Sequence, residues 1–129
     1  MGAWGVAFTE CDGALDFLGE VSDSKNWSLV ENQLIQFVGG EGYEDGEEAQ
    51  AALELVAAAI GNPSPRLEPE LVAWAGQHSG AATSLKDLSL KSVELLAEKS
   101  ELRELWEEAE DDFDEWFAGI MDLKSRLNS

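Results

Sequence analysis

Apolar residues recur along this chain at steps of three and four, and no stretch shows the strict alternation of a half-buried strand. Ala14, Leu15, Phe17 and Leu18 predict a short first helix, with Asp12 as N-cap and an end near Gly19. After a turn at Asp23 to Lys25, the spacing of Trp27, Val30, Leu34, Phe37 and Val38 predicts a second helix stopped by Gly39-Gly40. A glycine-rich loop to Gly46 then leads into a third helix with Asp45 as N-cap. On it Ala49, Ala52, Leu53, Val56, Ala57 and Ile60 share one face, Glu47, Glu48 and Glu54 face away, and Gly61-Asn62-Pro63 ends the run.

Pro63 to Pro69 reads as a rigid link inside the domain. Pro69 sits where a first helical residue tolerates proline and opens a fourth helix through Leu71, Val72 and Trp74, which Gly76 to Gly80 then loosens. Ser84 with Asp87 forms a short capping box before a fifth helix carrying Leu85, Leu88, Val93, Leu95 and Leu96 to about Glu98. Ser100 is the next N-cap, facing the amides near Arg103, and Leu102, Leu105, Trp106 and Ala109 make the stripe of a sixth helix. Phe113, Trp116, Phe117, Ile120 and Leu127 form the last stripe, with Lys124 and Arg126 suited to the negative end of its dipole. Met1 to Phe8, with two glycines and Trp4, has no helical period. The expectation is an all-α, single-domain bundle over residues 1–129, with about six or seven short amphipathic helices and an irregular N-terminal arm.

Composition supports a folded body: 44% of the residues are apolar, five of them Trp and five Phe, more than an acidic disordered chain would carry. Four of the five Trp are expected in the core, Trp4 being the exception. No run reaches the length of a membrane span, and the N-terminus lacks the basic-then-apolar order of a secretory signal, so the expected compartment is the cytoplasm. Cys11 is the sole cysteine and lies between Glu10 and Asp12, a setting that disfavours the thiolate and predicts an inert thiol.

Charge changes the picture most. Twenty-seven acids against eight Lys and Arg give a formal charge of −19, and two blocks hold much of the excess. Glu41 to Glu54 contains six acids and no base; Glu94 to Glu115 contains eleven acids against Lys99 and Arg103. Like-charged neighbours one helical turn apart each cost about 0.2–0.5 kcal/mol, so this clustering carries a cost that solubility or recognition must offset. If helix runs unbroken through Glu104, Glu108, Asp111 and Glu115, their carboxylates form a ridge about 16 Å long. Such a ridge fits a basic protein surface or imitates nucleic-acid phosphates, although for any one of these acids taken singly a solvated helix face is the more ordinary role. The candidate partner-binding residues are Glu104, Glu108, Asp111, Asp112 and Glu115, with Glu41, Glu44, Asp45 and Glu48 from the first block.

Other chemistries find little support. Glu110 to Asp114 lacks the glycine and distal Glu of a calcium loop, and His78 is the only histidine, so no zinc or haem ligand set forms and no metal or other cofactor is expected. No nucleophile elbow or phosphate loop appears, so an enzyme is not expected. Direct binding of nucleic acid is opposed by repulsion of its backbone.

The opening M-G-A-W-G, the D-G-A-L-D-F-L starting at Asp12, the E-A-Q-A-A-L-E-L-V-A-A-A-I-G starting at Glu48, and the S-E-L-R-E-L-W-E-E starting at Ser100 form a series. It resembles a bacterial domain-of-unknown-function family, numbered forty-two fifty-nine, whose short proteins open with M-G-x-W-G and carry a late S-E-L-x-x-L-W. The chain departs from that pattern in its Gly39 to Gly46 loop and in the long acidic tail of the sixth helix. The resemblance brings no catalytic residue, substrate or cofactor, but small acidic families of this sort look like the immunity partners of bacterial toxins. The expected function is therefore a cytoplasmic immunity or antitoxin-like inhibitor that covers a basic, nuclease-like toxin domain. The alternatives are a nucleic-acid mimic that blocks a DNA- or RNA-handling protein, and a small protein with weak divalent-cation binding.

Overall fold

A computed structural model describes residues 7–129; the expected N-terminal arm, with Trp4, lies outside the described residues except for its end. There Phe8 is buried in a 3-10 turn, Phe8–Glu10. Eight α-helices follow: α1 (Asp12–Ser24), α2 (Ser28–Gly39), α3 (Gly46–Ala59), α4 (Pro69–Gly76), α5 (Ser79–Ser84), α6 (Lys86–Glu98), α7 (Glu101–Glu108) and α8 (Phe113–Leu127). Seven of them have eight residues or more, and the described residues form no strand. The fold is all-α.

The centre of the bundle is α3. Every residue from Ala49 to Ala59 is buried, and α1, α2, α4, α6 and α8 all pack on it. Its alanines let neighbouring backbones approach closely, and a helix apolar all round belongs inside a fold, not on its surface. This corrects the expected polar face. Glu54 is buried, with Arg126 of α8 donating from Nη1 to Oε1 at 2.8 Å and from Nη2 to Oε2 at 3.1 Å. Burial pushes the Glu54 carboxyl up from 4.5 more strongly than Arg126 pulls it down. Glu47 also turns inward, its Oε1 accepting a 2.8 Å bond from the Gly13 amide in the first turn of α1. Glu47, from another helix, thereby serves that first turn; Asp12 is itself the first helical residue, and Cys11 occupies the cap position.

Helix ends follow the sequence in some places and depart from it in others. Gly61 takes φ +96°, and the amides of Gly61 and Asn62 bond Ala58 O and Ala57 O, the expected glycine stop. Ser100 caps α7 as expected, its Oγ accepting from the Arg103 amide at 3.0 Å and donating to Leu96 O at 2.6 Å. Helix α1 does not end near Gly19: buried Val21 extends its stripe by a turn, and Lys25 closes it in the left-handed conformation. Ser84 ends the extra helix α5 and donates to Gly80 O, so no capping box with Asp87 forms.

Trp74, Trp106 and Trp116 are buried, and Trp27 is half-buried. Trp27 stacks on His78 with ring centroids 5.1 Å apart, while Trp74 meets the same imidazole at 4.9 Å.

Candidate acidic interface

The two acidic blocks meet at Tyr43. Helix α2 ends with the Glu41 amide bonded to Val38 O at 3.0 Å and the Gly42 amide to Phe37 O at 2.8 Å. This arrangement places residue 41 in the left-handed region, where glycine is the usual occupant, yet Glu41 adopts φ 63° between glycines on both sides. Gly42, at φ +73°, sits so close to Leu95 of α6 that a Cβ would collide with its side chain. At Gly46, a Cβ would stand 2.8 Å from the Leu102 Cβ. These two close approaches seat the loop against α6 and α7. There Tyr43 O accepts from the Glu101 amide at 2.8 Å, and Tyr43 Oη donates to Glu104 Oε2 at 2.8 Å. The bond to Glu104, reinforced by the charges of Glu101 and Glu44, raises the phenol above its ordinary value of 10.0.

Beside this bridge, Asp45, Glu47, Glu48 and Glu101 line a groove of 250 Å³ together with Leu102 and Leu105. Asp45 stands at the cap position of α3, but its carboxylate accepts from Gln36 Nε2 at 2.8 Å and leaves the helix amides alone. Glu48 is half-buried, and its Oε2 has no partner among the described residues. Burial, then repulsion from Asp45, Glu47 and Asp16, raises its carboxyl above 4.5. Cys11 lies on the same side. Burial pushes its thiol up to about 12, and Glu47, Glu10, Asp12 and Glu48 add to the shift, leaving almost no thiolate at neutral pH.

The second block does not form the expected continuous ridge. Helix α7 stops at Glu108, Ala109 leaves helical geometry at φ −92°, ψ 61°, and α8 starts at Phe113. An unbroken helix through Glu107 to Glu115 would stack like charges at every turn; the break relieves that repulsion. Arg103 fixes the return of the chain, with its guanidinium 5.2 Å from the Phe113 ring and 5.8 Å from that of Phe117 while Nη1 donates to Ala97 O at 2.6 Å. Glu104 therefore belongs to the Tyr43 surface, whereas Glu115 lines a separate cavity with Arg66 and Arg126. Glu108, Asp111 and Asp112 are exposed at the end of α7 and in the turn after it.

Among the described residues, ion pairs engage Glu54, Glu94, Glu107 and Asp122. Glu41, Glu44, Asp45, Glu48, Glu104, Glu108, Asp111, Asp112 and Glu115 have no base within ion-pair distance among those residues. Lys91 and Lys99 share a groove with Glu41 and Tyr43 without pairing. No group of three or more His, Cys, Asp or Glu among the described residues is placed to share a metal ion, and no helix there is long and apolar enough to cross a membrane. Tyr43, Glu47 and Glu101 were absent from the sequence-derived site. The lone tyrosine in an otherwise acidic, glycine-rich loop was the available signal for the first.

A family model described as a domain of unknown function (DUF4259) matches residues 2–119, and the chain belongs to that family. No curated protein and no solved structure matches it.

Proposed function

We propose that this member of the family is a non-enzymatic, cytoplasmic binding protein of the immunity or antitoxin type, which neutralises a basic, nuclease-like bacterial toxin by covering its cationic cleft. The observation that carries this reading is the joining of two acidic blocks through Tyr43, where Glu41, Glu44, Glu101 and Glu104 form no ion pair among the described residues. Pooled unpaired charge raises the encounter rate with a cationic surface, and an aromatic ring within it offers a face for an arginine or lysine.

Nucleic-acid mimicry is the weaker reading, because the break at Ala109 removes the linear array that would imitate a phosphate backbone. The two readings separate on specificity. Basic proteins that co-purify with the chain from its source would be identified and assayed for nuclease activity with and without it. An immunity protein inhibits one such enzyme stoichiometrically and leaves DNA bound to unrelated DNA-binding proteins. A mimic displaces DNA from several of them. Failure to retain or inhibit any basic protein at low salt would reject both.

A further inference from the structure

We propose that the cavity between α3, α5, α6 and the end of α8 binds a small monocarboxylate with an unbranched apolar tail. This site lies apart from the acidic surface and does not depend on the function proposed for it. The cavity holds 330 Å³, and Val56, Ala59, Ile60, Ala82 and Leu127 supply an apolar lining. At roughly 30 Å³ per water-sized group, it has room for about ten non-hydrogen atoms.

Ser79 and Thr83 of α5 and Ser129 after α8 add polar groups, and α6 contributes Lys86 and Ser89. Ser89 lines the cavity, is 1% exposed, and its hydroxyl has no partner among the described residues. The other buried serine of α6, Ser92, donates to Leu88 O at 2.8 Å, whereas Ser89 makes no such bond. A buried hydroxyl without a bond carries a desolvation cost that a ligand acceptor would remove. One turn earlier on the same face of α6, Lys86 also lines the cavity, and it forms no ion pair among the described residues. The first turn of α6 has no side-chain cap, so its amides favour an anion at this end as well. Asp87 is exposed and does not line the cavity. The acid group thus sits between Lys86 and Ser89, and the tail runs toward Ile60 and Leu127. The overall negative charge acts on this site only weakly, since physiological salt screens beyond about 8 Å.

Octanoate, with ten non-hydrogen atoms (about the capacity estimated above), is the probe, and 1-octanol and octylamine are the controls. Methyl-resolved NMR titration of the whole chain should show saturable octanoate binding with shifts at Ala82, Ile60 and Leu127. Ser89→Ala and Lys86→Gln should each weaken it roughly tenfold, the loss of one charge-assisted contact. Ser89→Ala removes an unpaired hydroxyl, so its melting temperature should not fall; a loss of binding with an unchanged melt separates recognition from folding. Octylamine should not compete. Absence of saturable binding, shifts located elsewhere, or octanol binding as tightly with Lys86→Gln having no effect would each overturn the proposal.

Discussion

Tyr43 and Glu104, sixty-one positions apart in the chain, share a 2.8 Å hydrogen bond that fastens the α2–α3 loop to α7. Because Tyr43 is the only tyrosine, its ionisation can be followed alone by ultraviolet absorbance. The phenol should titrate above its ordinary 10.0, since ionisation loses the bond to Glu104 and places a second anion beside it. Glu104→Gln should bring the midpoint down toward the ordinary value. An identical titration in the two proteins would remove the bridge.

Glu41 occupies a backbone conformation that glycine adopts without steric cost. Glu41→Gly should therefore stabilise the fold by about 1 kcal/mol, read as a higher denaturation midpoint with an unchanged slope. If the residue serves recognition, the same change should slow association with the cationic partner. A destabilised variant would refute the strain assigned to this position.

Arg126 and Glu54 form a buried pair, with side chains 19% and 4% exposed. Arg126→Met leaves the carboxyl without its partner in the core and should cost about 3–5 kcal/mol by chemical denaturation. Adding Glu54→Leu to that variant should restore most of the loss, because the stranded group is then gone. Equal stabilities for the single and double variants would contradict this account.

Glu48 makes stability depend on pH. Its folded carboxyl is raised above 4.5, so the folded chain binds more protons than the unfolded chain in the window between the two values. The stability linked to this group is complete below about 4.5 and is lost as pH rises through the folded value. Melting temperature should climb on mild acidification, and Glu48→Gln should raise it at neutral pH while shrinking that climb. Parallel curves for the two proteins would assign the dependence to other acids.

Legibility in the sequence followed locality. The periods at Trp27 to Val38 and Phe113 to Leu127, the Gly61 stop and the Ser100 cap depend on neighbours a turn away, and each matches the fold. Helix α3 was found but its surroundings were not: two of its three outward glutamates point inward because Arg126 and the Gly13 amide, both distant in sequence, receive them. Glu48 is half inside as well. The acidic blocks were visible as composition, yet their meeting at Tyr43 needed the close packing of Gly42 on Leu95 and Gly46 on Leu102. The break at Ala109 went unread because no glycine or proline marks it; Arg103 folding over Phe113 and Phe117 does.

The central claim is that the unpaired carboxylates around Tyr43 are recognised by a cationic protein. The most direct test follows the association rate of the basic protein that co-purifies with the chain, across salt concentrations, for the wild type and for Glu44→Gln, Glu101→Gln and Glu104→Gln combined. The wild-type rate should fall steeply with salt. The variant, with a melting temperature no lower than that of the wild type, should start about tenfold slower at low salt and show a shallower slope. Equal rates and equal slopes would contradict the account.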